Sequence, residues 1–219
     1  MISRLHYITQ DIVGVPHQEL TLNACIAGID WVQLRVKNRS YNEWLDIANK
    51  TEMICRKYHA KLIVNDNVVI AKAVKADGVH LGKTDMSPRE ARQELGSNAI
   101  IGGTANSFED IKQLNDEGVD YIGLGPFRFT YTKENLSPVL GIDGYKKIIE
   151  QCKKNGITVP IIAIGGIKIE DIKPLAETGI YGIAVASAIS SAPNMFEAAK
   201  RFKNKIISTI RHREERSDL

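Results

Sequence analysis

Eight short runs of apolar and β-branched residues recur along the chain, and each has the length of a buried strand. Runs such as Ile161–Ile164, which contain no polar alternation, are typical of parallel strands that are buried on both faces. The pattern therefore predicts eight parallel strands. Their predicted bounds are Leu5–Thr9, Trp31–Arg35, Lys61–Val64, Gly78–Leu81, Ile100–Gly103, Tyr121–Leu124, Pro160–Ala163 and Gly182–Val185.

Longer stretches with helical spacing separate these strands. From Trp44 to Cys55 the apolar positions recur at steps of three and four, which places them on one face of a helix. Glycines that end helices are expected before the next strands, at Gly28, Gly118, Gly156 and Gly179. The alternation predicts an α/β fold, a single (β/α)8 TIM barrel. An open doubly wound sheet is the competing fold, and it usually has fewer strands.

The 219 residues show no linker or shift in composition, so we expect one barrel domain over residues 1–210 and a charged, frayed tail over 211–219. With 43% hydrophobic and 25% charged residues, the chain is neither a disordered chain nor a coiled coil. A net charge of +3 does not indicate nucleic-acid binding, and no signal peptide or membrane span is visible. Three widely spaced cysteines predict reduced thiols and a cytoplasmic location.

Polar side chains follow the second predicted strand, at the end where barrel enzymes place their active sites. Gln33, Arg35 and Lys37 alternate with apolar residues, so a period of two puts all three on one face. Burial of such groups in a barrel mouth is costly unless an anion compensates the charges. The pattern therefore indicates an anion site, and the alternative is an edge strand with one solvated face.

Two carboxylates follow the third and fourth strands. Asp66 and Asp85 suit Mg²⁺, which takes one or two carboxylates together with water and phosphate oxygens. A helix N-cap is the alternative role for Asp66, whereas Ser87 already provides a cap for the helix after Asp85. His80 is predicted to be a packed or hydrogen-bonded histidine and not a metal ligand.

Two later loops carry features that are typical of phosphate binding. The longest interval between strand starts, 39 positions, contains Thr130, Thr132 and Lys133, although alternating Thr and Lys also occur on ordinary surfaces. Gly165–Gly166 follows the seventh strand and Ala186–Ser187 the eighth, where phosphate-binding barrels present backbone N–H groups. A Gly-Gly pair is also common in turns. Together with the polar residues after the second to fourth strands, these loops predict two anion sites in one barrel mouth. One is a cationic cluster with a metal, and the other is formed by backbone N–H groups after the seventh and eighth strands.

These motifs, in this order, resemble the thiamine phosphate synthase family from about Leu5 to Phe202. The resemblance rests on Gln33–Lys37, Asn65–Asp66, Gly78–Gly82 with Asp85, Gly125–Pro126 with Thr130–Lys133, and Ile164–Ile167. It implies a TIM barrel that joins hydroxymethylpyrimidine diphosphate to thiazole phosphate and releases pyrophosphate. It also implies Mg²⁺ as cofactor and small molecules as partners, without nucleic acid or membrane. A homo-oligomer stays open.

The resemblance implies a role for each matching residue. The metal ligands would be Asp66 and Asp85. Thr104 takes the place of a serine near the pyrimidine. The diphosphate would be held by Gln33, Arg35, Lys37, Asn65 and Lys133. Catalysis would depend on Arg35, Lys37 and Lys133. The thiazole phosphate would be held by Thr130, Thr132, Gly166 and the backbone of Ala186 and Ser187.

The sequence departs from the family pattern at three positions. Gln10 stands where the first strand usually ends in Asp, and Asn106 stands where a histidine is common. Lys83 replaces a usual glutamine and is expected to add a cation beside Asp85. The alternative functions are a thiazole tautomerase with the same barrel, a phosphosugar isomerase or epimerase, and an inactive regulator that binds a phosphorylated ligand. The intact Asn65, Asp66, Asp85 and Lys133 favour the synthase.

Overall fold

A computed structural model describes residues 1–129 and 138–217, the last six of these as backbone only. Eight parallel strands close into a barrel in chain order, and β1 pairs with both β2 and β8. The predicted (β/α)8 TIM barrel is therefore confirmed, and the open sheet is excluded. The strands are β1 Leu5–Ile8, β2 Trp31–Leu34, β3 Lys61–Asn65, β4 Gly78–Leu81, β5 Ile100–Ala105, β6 Tyr121–Leu124, β7 Ile161–Ile164 and β8 Gly182–Val185.

Helices surround the barrel, and a 3₁₀ turn, Ile169–Asp171, precedes the seventh of those that the structure describes. They are α1 His17–Ile26, α2 Tyr41–Lys57, α3 Val68–Ala73, α4 Pro88–Leu95, α5 Phe108–Asp116, α6 Gly141–Lys154, α7 Ile172–Thr178, α8 Ser187–Ser190 and α9 Met195–Ser217. Residues 211–217, which fall in the predicted tail, continue α9, and the domain boundary at 210 stays a prediction. Within the described part of the chain, no helix is long and apolar enough to cross a membrane.

Local sequence explains where several helices begin and end. Ser40 starts α2 with a capping box in which Glu43 binds back to the cap, and α2 buries Ala48, Thr51 and Cys55 on the predicted face. The four glycines expected to end helices all have positive φ. Cys25, Cys55 and Cys152 are buried free thiols.

Side chains alternate between the inside of the barrel and the layer beneath the helices. Inside, His6 stacks on Trp31 with ring centroids 4.3 Å apart, and Tyr121 lies edge-on to both rings. Gly102 accommodates this group, because a Cβ atom there would lie 2.2 Å from Cζ of Tyr121. Gly103 faces outwards, where a Cβ atom would lie 2.6 Å from Cδ2 of Leu114. The barrel interior is therefore filled by fixed aromatic rings.

Gly102→Ala is expected to lower the free energy of unfolding by about 1–3 kcal/mol, because the added methyl overpacks the interior against an aromatic ring that cannot move. Gly103→Ala is the matched control in the same strand, and it should cost less because the end of a leucine side chain can rotate away. Urea unfolding of both variants measures the difference. Equal losses would contradict this account of the interior.

Candidate active site at the carboxyl end of the barrel

The carboxyl ends of β2 to β5 bring neutral polar side chains together inside the barrel. Nε2 of Gln33 donates to Oδ1 of Asn65 at 2.7 Å, and both residues are buried. His80, in register with Asn65, contacts Oγ1 of Thr104 through Nε2 and the hydroxyl of Tyr121 through Nδ1, each at 3.0 Å. The prediction of a hydrogen-bonded His80 is confirmed. Three predicted substrate-binding residues, Gln33, Asn65 and Thr104, thus lie in two hydrogen-bonded groups on neighbouring strands, which together form a polar layer.

Charged side chains lie beyond this layer. Nζ of Lys37 lies 2.5 Å from Oδ2 of Asp66, which forms an ion pair between residues that follow adjacent strands. Arg35, two residues before Lys37, is partly buried. Asp66 has a φ of 65°, and its backbone N–H donates to the carbonyl of His80 at 2.8 Å. A positive φ is uncommon for a residue other than glycine, so this backbone bond helps to hold Asp66 in place.

Asp85 completes the charged cluster. Its Oδ2 accepts from the N–H of Gly82 at 2.7 Å, and its carboxyl group lies near that of Asp66. Burial raises the pKa of Asp85, the contact with Gly82 opposes this shift, and the like charge of Asp66 adds to it. Asn67 caps α3 and Ser87 caps α4, so the N-cap alternative considered for Asp66 is wrong.

The two carboxylates fit a hard divalent cation. Adjacent carboxylates repel each other unless a proton or a cation lies near both. Asp66 and Asp85 also supply the oxygen atoms that Mg²⁺ prefers. Among residues 1–129 and 138–211, no group of three or more His, Cys, Asp or Glu side chains is arranged to hold a metal. A cation at Asp66 and Asp85 would therefore take its other ligands from water or from a bound anion.

A cavity of about 420 Å³ opens at this cluster. Its lining includes Lys37, Arg39, Trp44, Asp66, Asp85 and Met86. A second cavity of the same volume lies beside Lys61 and Asp77, at the amino ends of β3 and β4. Lys61 and Asp77 also form an ion pair of 2.5 Å, equal in length to that between Lys37 and Asp66. The ion pair between Lys61 and Asp77 can therefore serve as a control for the pair between Lys37 and Asp66, because it lies at the opposite end of the barrel from the polar layer.

The loop after β7 packs against the start of the loop after β6. Gly165 and Gly166 have φ values of 100° and 64°. A Cβ atom on Gly165 would lie 2.8 Å from Cα of Pro126, and one on Gly166 would lie 3.0 Å from the carbonyl oxygen of Phe129. The glycine pair therefore permits close packing of two loops, a requirement that the sequence did not reveal.

The backbone at Ala186 and Ser187 forms the start of α8. The carbonyl of Ala186 accepts from the N–H groups of Ile189 and Ser190, each at 3.0 Å. The first N–H groups of a helix have no acceptor within the helix, so the turn at Ser187 is suited to an anion. Three further predicted residues, Thr130, Thr132 and Lys133, lie outside the described residues.

The three departures from the family pattern have distinct surroundings. Nζ of Lys83 lies 2.7 Å from Oδ2 of Asp110, so its charge is paired there, whereas the sequence led us to expect it beside Asp85. Burial raises the pKa of Asp110, but its contacts with Lys83 and with the N–H groups of Asn106 and Ser107 outweigh this effect. The pKa of Asp110 is therefore below its usual value. Nδ2 of Asn106 donates to the carbonyl of Gly125 at 2.5 Å. Within the described residues, Oε1 of Gln10 is buried without a hydrogen-bond partner.

An ion pair that the sequence did not indicate joins the loops after β6 and β7. Arg128 binds Asp171 through two hydrogen bonds of 2.8 and 2.9 Å, and Nη1 also donates to the carbonyl of Gly166 at 3.0 Å. Asp171 is buried and also accepts from the N–H of Lys168. The two residues are 43 positions apart, and each loop contains several charged residues, so the sequence did not single out this pair.

Comparisons with known proteins match nearly the whole chain. The family model described as thiamine monophosphate synthase matches residues 5–189. The chain is similar to the thiamine-phosphate synthase of Flavobacterium johnsoniae, with 46% identity over 215 residues that cover 96% of this chain and 99% of that protein. It is similar to the thiamine-phosphate synthase of Bacteroides fragilis, with 48% identity over 200 residues that cover 91% and 98%.

A solved structure shares both the fold and the sequence pattern. The thiamine phosphate pyrophosphorylase from Pyrococcus furiosus superposes with a TM-score of 0.83 at 32% identity. The match covers 94% of this chain and 96% of that chain. The similarity therefore includes the strands whose carboxyl ends carry the polar layer and the charged cluster.

Arg128→Ala is expected to lower the free energy of unfolding by about 1–3 kcal/mol, because it leaves the buried carboxylate of Asp171 without its main partner. The control is Lys154→Ala, which removes an exposed ion pair with Glu150 and should cost about 0.5 kcal/mol or less. Urea unfolding measures both variants. A loss for Arg128→Ala no larger than that of the control would show that the pair does not hold the two loops together.

Proposed function

The chain belongs to the thiamine monophosphate synthase family, and we propose that it joins 4-amino-2-methyl-5-hydroxymethylpyrimidine diphosphate to 4-methyl-5-(2-phosphoethyl)thiazole at the carboxyl end of its barrel. The products are thiamine phosphate and pyrophosphate, so the chain is a transferase of thiamine biosynthesis. One observation carries the assignment to this site, namely the cluster of Lys37, Asp66 and Asp85. The similar proteins are named as synthases, and nothing in them supports a tautomerase, an isomerase or a regulator.

The leaving group sets the main chemical demand. The bond between the pyrimidine methylene carbon and the diphosphate oxygen breaks, positive charge develops on the methylene carbon, and negative charge grows on the departing pyrophosphate. Arg35 and Lys37 would bind the pyrophosphate oxygens, and the linked amides of Gln33 and Asn65 would hydrogen-bond to the same substrate. Charges that are already in place stabilise such a transition state without reorganisation.

Asp66 and Asp85 would hold Mg²⁺, since they are the carboxylates that meet at this rim of the barrel. When bound, the cation would neutralise part of the charge on the pyrophosphate. Lys37 already lies against Asp66, so Asp66 would contact the cation while Lys37 contacts the neighbouring pyrophosphate oxygens. Mg²⁺ dependence is therefore part of the proposal.

The second substrate needs positioning more than activation. The thiazole nitrogen attacks with its own lone pair, so no protein base is needed and orientation supplies most of the remaining rate. Gly166 and the backbone of Ala186 and Ser187 would bind its phosphate. Thr104, held by His80 at 3.0 Å, would contact the pyrimidine. Thr130 and Thr132 are proposed as phosphate ligands, and Lys133 as a catalytic diphosphate ligand, from the family resemblance alone.

The first test is product formation from the two purified substrates. Thiamine phosphate should form in the presence of Mg²⁺, should fall to background with EDTA, and should return when Mg²⁺ is added in excess, measured by chromatography. Undiminished product with EDTA would contradict the metal proposal alone. Absence of product under every metal condition would overturn the synthase assignment.

Asp66→Ala and Asp85→Ala should each lower kcat by about a hundredfold or more, because each removes a carboxylate that would hold the cation. The KM for the thiazole phosphate should stay nearly unchanged, as measured by steady-state kinetics. Asp77→Ala is the matched control, since Asp77 has an ion pair of the same length and a similar exposure, 31% against 26% for Asp66. An equal loss in the control, or a large rise in that KM, would count against this division of roles.

A further inference from the structure

A chain of hydrogen bonds connects the end of β1 to the backbone of the two cationic residues. Oγ1 of Thr9 accepts from the N–H of Arg35 at 3.1 Å and lies 2.9 Å from Nδ1 of His17. Nε2 of His17 lies 3.3 Å from Oδ1 of Asp11. Oδ2 of Asp11 accepts from the N–H of Lys37 at 3.1 Å. The chain therefore begins at the backbone of Arg35 and returns to the backbone of Lys37.

The protons of this chain can be assigned from its donors and acceptors. Thr9 accepts from Arg35 and so has its own hydroxyl proton to donate to Nδ1 of His17. Nε2 of His17 then carries the proton that is donated to the carboxylate of Asp11. Burial lowers the pKa of His17, the contact with Asp11 opposes this shift, and the positive charge of Arg39 adds to it. A neutral imidazole thus satisfies every member of the chain.

This chain of hydrogen bonds lies where the regular pairing of β2 ends. Strand β2 ends at Leu34, so Arg35 and Lys37 lie beyond the regular ladder that would fix their backbone. Thr9 is fully buried and His17 is 5% exposed, so water competes little for the bond between them, whereas the bond from Lys37 to Asp11 lies at the exposed rim. Two side-chain acceptors, Thr9 and Asp11, which both contact His17, replace the missing ladder bonds of Arg35 and Lys37.

We propose that His17 is a positioning residue for the diphosphate site, which acts through Thr9 and Asp11 to hold Arg35 and Lys37 towards one ligand. The proposal rests on the proposed function, because it requires these two cations to bind the diphosphate. A local structural role, in which His17 serves only to anchor the start of α1, is the alternative. The two roles differ in which kinetic constant changes when the chain is broken.

His17→Phe keeps a ring of similar size and removes both nitrogens. We expect the KM for the pyrimidine diphosphate to rise by about tenfold to a hundredfold, with a lower kcat, because the cations lose their common orientation. The KM for the thiazole phosphate should not change. His17→Gln retains an N–H that can reach Asp11, so it should recover part of the loss.

Thr51→Val is the matched control, because it removes an equally buried hydroxyl from α2 that binds only the carbonyl of Ile47 in its own helix, at 2.8 Å. It should leave both KM values unchanged. Thr9→Val removes the acceptor of Arg35 and provides a second test that does not depend on the folding of His17→Phe. Since both changes break one chain, the double variant should be no worse than the more impaired single variant.

The outcomes separate this proposal from the proposed function. If the unaltered protein forms product and Lys37→Ala raises the KM for the diphosphate, the site assignment stands. When both of these results are obtained, an unchanged KM for the diphosphate in both His17→Phe and Thr9→Val would overturn the positioning role. Additive losses in the double variant would overturn it as well. A lower kcat with both KM values unchanged would also overturn it, since loss of folded protein alone gives that result. Failure of the unaltered protein to form product would instead reject the proposed function.

Discussion

Closure of the barrel, with β8 paired to β1, is the constraint on which the site depends, because it places all eight carboxyl ends in one ring. The interior becomes more polar towards that ring. Near the amino ends, burial lowers the pKa of His6 to about 3, so this imidazole stays neutral among aromatic rings. A hydrogen-bonded neutral layer follows, with Gln33 bound to Asn65. Charges come last, where a ligand and solvent can compensate the cost of their desolvation.

Periodicity and the rules for parallel barrels predicted the features that depend on which face or end a residue occupies. The eight strands, the buried face of α2 and the helix-ending glycines follow from local spacing. The approach of Asp66 to Asp85 follows as well, because successive strands are neighbours in such a barrel and each carboxylate comes just after a strand. These inferences needed no knowledge of individual contacts.

The sequence could not predict which partner a side chain would choose. Lys83 is two positions from Asp85, yet it reaches Asp110 in the first turn of α5, beyond the helix that follows it in the chain. Asn67, and not Asp66, became the helix cap because the backbone turns through a positive φ at Asp66. Arg128 and Asp171 are joined only because two loops pack together. Periodicity assigns a residue to a face, whereas partner choice depends on loop backbones that distant segments fix.

The balance of charge at the rim explains why a diphosphate and a divalent cation belong together in the proposed function. Arg35 and Lys37 bring two positive charges to the region of Asp66 and Asp85, which bring two negative ones. A diphosphate alone would meet repulsion from the carboxylates, and a cation alone would meet repulsion from the ammonium and guanidinium groups. When both are present, each compensates the charges that oppose the other. In the proposed site each ligand would therefore favour binding of the other by the same factor, as linkage requires, and the site would select the pair over either component.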